Sequence, residues 1–407
     1  MNKPLIVGLA LLGCRASSEP PAAPSGPRVP LYQNLGTFHV PISTKSGPAQ
    51  AYFDQGIRLA YAFNHAEAIA SFEEAARLDP DCAMCQWGIA YALGPNINAP
   101  MDSAAGAGAY AAISRALRST AGVSERERGF IDAMATRYAP DPTAARPPLD
   151  SAFATAMAAL AAKYPDDRDA ATIHADARMN LRPWDYWVAV GKPHPGTEVL
   201  VNELERVIEA DSTHPGACHL FIHVVEATEP LRAVRCAERL AALMPGAGHL
   251  VHMPAHIYVR IGRYQDAIDH NHQATHADST LAVADRISPT YAALYVSHNY
   301  HFLGFAALLA GRADLAVKAA QRTAATMPIA SARQFPEYQP MVAFEHVMLQ
   351  KFGQWEALLA LALPDSSLPI ARAVAEYARG TGLAASGQVA EAEAVVSAIA
   401  ARAAGDY

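Results

Sequence analysis

The chain has 407 residues, is 51% hydrophobic and carries a formal net charge of −7. That length supports a large buried core, and the acidic balance with no Lys/Arg run argues against nucleic acid as a partner. After the first 14 residues no apolar stretch approaches the length of a membrane span.

At the N-terminus, Lys3 precedes an apolar run from Pro4 to Gly13 that is too short to cross a bilayer and reads as the apolar region of a secretory signal. The run ends in L-L-G-C, which resembles a bacterial lipobox. The resemblance implies a signal peptide at 1–13, cleavage before Cys14 and lipidation of its thiol. Residues 14–48 then form a tether, rich in Pro, Ser and Ala from 15 to 30 and unable to pack a core. Within it, L-G-T-F-H-V-P-I-S (35–43) suits a short extended segment. The expected product is a body, 49–407, anchored to a membrane of the bacterial cell envelope on its periplasmic or extracellular side.

From Ala49 a period becomes visible. Counting Ala49 as position 1, an aromatic stands at position 4 (Tyr52), Gly at 8 (Gly56), Ala at 20 (Ala68), Phe at 24 (Phe72), Ala at 27 (Ala75) and Pro at 32 (Pro80). Small residues at 8 and 20 let two antiparallel helices cross closely, aromatics fill the gap toward the next pair, and Pro stops the second helix. This pattern resembles the tetratricopeptide repeat. Residues 297–330 match it well through Tyr300, Leu303, Gly304, Ala316 and Pro328. Residues 214–247, 248–281 and 373–406, a stretch after Pro165 and the degenerate 338–363 match more loosely. The resemblance implies an all-α, right-handed superhelical solenoid of helix pairs, and high alanine content without alternating strand patterns supports an all-helical reading independently. The stretches 94–101, 139–148 and 181–196 are too rich in proline for helix interiors and read as loop insertions over one face.

Four cysteines remain beyond Cys14. Cys82 and Cys85 form a C-x-x-C at an expected helix start, and Cys218 and Cys236 fall on consecutive helices, so the four suit two disulfides or four buried thiols. A redox role for Cys82 and Cys85 lacks the sheet that such motifs accompany.

The functional clue is histidine. Nine of the 16 lie between His214 and His276, and His219, His223 and Glu226 share one helical stripe while His249, His252 and His256 share another. In the repeat register, His249, His252 and His256 take positions 2, 5 and 9, His298 and His301 take 2 and 5, and His174 takes 9. Arg178 and Arg260 both take 13. The resemblance implies that these positions line the concave groove. His219 and His223 fall one step round their helix and need a small register change or local twist to join. His270, His272 and His276 belong to a second helix and face away, His65 reads as surface, and Trp184, Asp185, Tyr186 and Trp187 form a mostly aromatic plug over the groove.

Imidazoles at i, i+4 spacing with a carboxylate grip a divalent transition metal such as Cu, Zn or Fe. The expected ligands are His219, His223, Glu226, His249, His252 and His256, with His298 and His301 next along, and His174, Arg178 and Arg260 lining the groove. A centre with an open coordination position can be catalytic. The alternative is an adaptor without metal, whose groove binds a protein or peptide and whose histidines only shape it.

Overall fold

The computed structural model describes residues 29–403, apart from 102, 284 and 285. Cys14, the signal and most of the tether lie outside the described residues. The elements, in order, are α1 (Gly47–Tyr61), α2 (His65–Leu78), α3 (Ala83–Leu93), α4 (Ser103–Arg118), α5 (Glu125–Ala135), α6 (Arg146–Lys163), α7 (Arg168–Met179), β1 (Trp187–Ala189), β2 (Lys192–Pro193), α8 (Thr197–Ala210), α9 (Pro215–Val225), α10 (Val234–Leu243), α11 (Gly248–His252), α12 (Pro254–Arg260) and α13 (Tyr264–Val283). There follow α14 (Pro289–Tyr291), a π-helical turn (Ala292–Val296), α15 (Ser297–Leu309), α16 (Ala313–Thr326), α17 (Ile329–Gln334), α18 (Gln339–Val342), α19 (Phe344–Lys351), α20 (Trp355–Ala360), α21 (Pro369–Ala385) and α22 (Val389–Ala403).

Local chemistry starts these helices where the chain needs them. Ser46 accepts from the Ala49 amide at the head of α1, Asn64 caps α2, and Ser124 with Glu127 closes a capping box on α5. Adjacent helices pack as antiparallel pairs, α1 with α2, α3 with α4, and so on through α21 with α22, and the pairs stack into an all-α solenoid. Stacking depends on small residues. A Cβ on Gly56 of α1 or on Gly88 of α3 would sit 2.5 Å from the ring of Phe72, so that one ring is clasped by two consecutive pairs.

The pairs α3/α4 and α5/α6 extend the repeat beyond the stretches that the residue pattern marked. Loops at 94–101 and 139–145 separate their structure from the standard register. Residues 146–148, grouped by sequence with a proline-rich loop, instead form the first turn of α6, where Pro147 and Pro148 lose no helical hydrogen bond. The 181–196 insertion contains the short hairpin β1–β2. Segment 35–43 is irregular rather than strand. Cys82 is joined to Cys85 and Cys218 to Cys236 as disulfides.

The superhelix is tight enough that its beginning packs on its middle. Helix α1 touches α9 as well as α3. The leading segment crosses that junction: the Gly246 amide donates to Asn34 O at 2.8 Å, and the Phe38 ring lies 4.8 Å from that of His214. Arg286, just before α14, closes the other side with a 2.8 Å ion pair to Glu67. The inner helices therefore meet around a filled centre rather than an open trough.

Candidate metal centre

That filled centre is where the histidines are. Helix α9 carries His219 and His223, and Glu226 follows as its C-cap. The next inner helix is broken at Pro254 into α11 and α12, because a proline ring offers no amide to the preceding turn. His249 and His252 lie before the break and His256 after it. His298 comes from α15. His219, His223, His249, His252, His256 and Glu226 are all at most 5% exposed, and His298 is half-buried.

Their nitrogens form two triads. One comprises His219, His223 and His249, the other His252, His256 and His298, and within each triad one ligand atom per residue lies within 4.8 Å of the others. Nε2 of His219 is 3.0 Å from Nε2 of His249, and Nε2 of His252 is 2.8 Å from Nε2 of His256. Across the triads, the rings of His223 and His256 are 5.5 Å apart and those of His249 and His252 are 5.9 Å apart.

The opposite edges of four of the rings are pinned, while Nδ1 of His249 is buried with no hydrogen-bond partner. Nδ1 of His219 donates to Tyr61 O at 2.7 Å, and Nδ1 of His252 donates to Asn271 Oδ1 at 2.7 Å. Asn271 spends its own amide on Ala267 O, which fixes its oxygen toward the ring. Nδ1 of His256 meets Glu226 Oε2 at 2.7 Å, and Nδ1 of His223 meets Glu226 Oε1 at 3.3 Å. Rings that donate through Nδ1 present bare Nε2 lone pairs to the centre, the arrangement that outer carboxylates and carbonyls impose on metal-binding histidine. Nε2 of His223 is buried with no hydrogen-bond partner.

Electrostatics follow from this crowding. Burial, then the neighbouring imidazoles, pushes His219, His249, His252 and His298 well below the usual histidine range, so these rings are neutral near pH 7. Burial opposes ionisation of Glu226, yet His256 and His223 outweigh it and hold its carboxyl far below the ordinary value. A buried carboxylate needs a cation. Arg260, 3.7 Å away and 44% exposed, is the nearest guanidinium.

The structure distributes the other sequence-selected residues differently. His301 packs its ring 4.4 Å from Phe344 and joins neither triad. His174 turns instead to Glu203 of α8, at 2.9 Å, because α8 packs against α7 and brings that carboxylate beside it. Arg178 donates to Gly196 O at 2.8 Å and so anchors the end of the hairpin insertion rather than a groove. His272 and His276 are exposed, while His270 is half-buried with Nδ1 3.2 Å from Val251 O. His65 is half-buried, not on the surface as its turn position implied. The aromatic insertion does cover the centre: Trp187 donates to Val224 O at 2.7 Å, and the Trp184 edge lies 5.0 Å from His223.

One contributor was missed. Phe63, in the turn between α1 and α2, stacks on His249 at 5.7 Å and on His223 at 6.2 Å, and meets His219 at 4.4 Å. Its φ is +55°, a conformation that L side chains seldom adopt. The matching turns after α12, α15, α19 and α21 use Gly262, Gly311, Gly353 and Gly387, all at positive φ. A phenylalanine where the turn elsewhere takes glycine was the available signal.

No family model matches the chain, and no curated protein matches it. Among solved structures it is similar to the crystal structure of yeast Tom70, at 10% identity and TM-score 0.29, over 88% of this chain and 85% of that one. It is also similar to the tetratricopeptide domain of P58(IPK), at 12% identity and TM-score 0.20, over 81% of this chain and 98% of that one.

Proposed function

We propose that this protein binds two transition-metal ions in adjacent three-histidine sites that share Glu226 as a common outer carboxylate. The observation that carries the reading is the facing pair of Nε2 atoms on His252 and His256, 2.8 Å apart, while both rings meet acceptors through Nδ1. With both Nδ1 edges directed outward, the two Nε2 atoms face each other at hydrogen-bond distance, and a cation between them would serve both. A shared proton would serve a pair, but a third nitrogen from His298 and a second cluster of three nitrogens on His219, His223 and His249 favour metal. Imidazole donors without thiolate suit Zn, Cu or Fe rather than Mg or Ca. Three protein nitrogens leave a tetrahedral ion one position for water or a ligand, which is the basis for a catalytic role.

The alternative is an adaptor without metal, in which the concave groove binds a partner's helix or tail and the histidines only shape it. Burial of the histidines keeps them out of such a partner's reach and ranks the metal reading first. The L-L-G-C junction supports a lipid anchor at Cys14 in the bacterial envelope, periplasmic or extracellular, and loss of membrane fractionation in Cys14→Ser tests it. Elemental analysis of protein purified without a metal-affinity column tests the centre: stoichiometric Zn, Cu or Fe supports it.

A further inference from the structure

Phe63 and Tyr295 separate the first triad from a second feature of the fold, a cavity of about 320 Å³ partly open to solvent. That volume is at the lower end of the roughly 300–1,000 Å³ typical of small-molecule sites. Its walls are mostly apolar, with Ile69, Leu93, Met101 and Leu294 prominent, and among the described residues no Asp, Glu, Lys or Arg lines it. Its polar lining includes His65, Asn96 and Tyr295, with Asn64, Ser288, Thr290 and Tyr291 elsewhere on the wall. Asn96 already uses its side-chain oxygen on the Asn98 and Ala99 amides, which leaves its Nδ2 3.5 Å from Nε2 of His65.

Tyr295 is the informative residue. Its side chain is 2% exposed, and its buried hydroxyl has only the Asn98 and Asn96 side chains within reach and forms no well-aligned hydrogen bond with either. Such a group costs stability unless something completes it. It stands in the π-helical turn Ala292–Val296, where the extra residue rotates the side chain out of the α-helical register. Its ring lies 4.6 Å from that of His249, and the Phe63 ring lies 5.7 Å from the same imidazole. Two unusual backbone features, the π turn and the left-handed Phe63, thus place the cavity wall directly on a triad histidine.

We propose that this cavity binds an uncharged, mostly apolar organic molecule whose single hydrogen-bonding group completes the Tyr295 hydroxyl, and holds it against the His219–His223–His249 triad. The binding step stands on the cavity alone, while its consequence for chemistry rests on the metal reading above. An aromatic alcohol fits: its ring packs on the apolar walls, and its hydroxyl pairs with Tyr295 or His65. A carboxylate does not fit, because no cationic side chain among the described residues lines the cavity to offset its desolvation.

The test uses the full chain, 2-naphthol as probe and 2-naphthoate as its charged counterpart. Calorimetry is run on chelator-stripped protein and on protein offered Co(II), whose visible bands report changes around the metal. Saturable 2-naphthol binding is expected in the stripped protein, with little binding of 2-naphthoate. Tyr295→Phe, which keeps the ring, should weaken naphthol binding by about tenfold through the lost hydrogen bond. Ala66→Trp, on the exposed rim, should weaken it by at least about tenfold by blocking the mouth without changing the core. In Co(II)-loaded protein, naphthol should shift the visible bands. Absence of saturable binding to folded wild type, or binding indifferent to Ala66→Trp, overturns the cavity assignment. Naphthol binding with an unaltered Co(II) spectrum overturns its link to the triad. If Co(II) fails to bind while naphthol binds and responds to both variants, the metal reading falls and the cavity assignment stands.

Discussion

His256 and Glu226, from consecutive inner helices, are joined at 2.7 Å between Nδ1 and Oε2, and the same carboxylate reaches His223 at 3.3 Å through its other oxygen. One side chain therefore orients a ring in each triad. Glu226→Gln keeps the shape but removes the charge and leaves an amide that satisfies only one of the two ring donors. Metal affinity should fall by about 10–100-fold at both triads together. Competition with a chelator measures this, and loss confined to one equivalent would contradict the shared role.

Phe63 supplies a prediction of opposite chemical intuition. At φ +55° the backbone accepts glycine without strain and resists a β-branched residue most. Phe63→Val should therefore destabilise the fold more than Phe63→Gly, although valine preserves more apolar surface. Relief of about 1–3 kcal/mol of backbone strain offsets part of the packing lost in the glycine variant. Urea denaturation gives the order, and a more stable valine variant would show that packing outweighs the backbone here.

Asp176 on α7 is buried, and burial pushes its carboxyl up to about 6, against Arg137 and hydrogen bonds from Tyr91 and Asn180 that act the other way. A carboxyl raised in the folded state contributes stability that is fully present below its unfolded value near 3.8 and is lost as pH rises through 6. Asp176→Asn, which cannot ionise, should therefore improve relative to wild type between pH 4 and pH 8 by about 2 kcal/mol. Denaturation midpoints at the two pH values measure it, and a difference independent of pH would contradict the assignment.

Much of this was legible in the residues. The stripe His249, His252, His256 follows from helical spacing, and the small residues Gly56 and Ala68 announce the first helix pair. Gly88 takes the same position 8 if a repeat starts at Asp81, but the loop 94–101 delays the second helix and breaks the register by which the pair α3/α4 would be found. Glu226 was visible as a candidate ligand, whereas its position between two Nδ1 edges depends on α9 meeting the break at Pro254, a tertiary relationship. His174 shows the limit of register. Its position 9 matches His256, yet helix α8, packed beside α7, supplies Glu203 as a local partner. Burial of the centre was illegible too, because it arises from residues 29–64 folding back over helices far along the chain.

Metal stoichiometry across triad variants tests the central claim most directly. Stripped wild type titrated with Co(II) or Zn(II) should take up two equivalents. His223→Ala and His252→Ala should each retain one, from the intact triad, and His276→Ala, altered on an exposed residue, should retain two. Because burial keeps His219, His249 and His252 neutral, binding should persist to pH 6, where exposed histidines begin to be protonated. Folded wild type that takes up no metal, or uptake that His223→Ala and His252→Ala leave at two equivalents, would contradict the account.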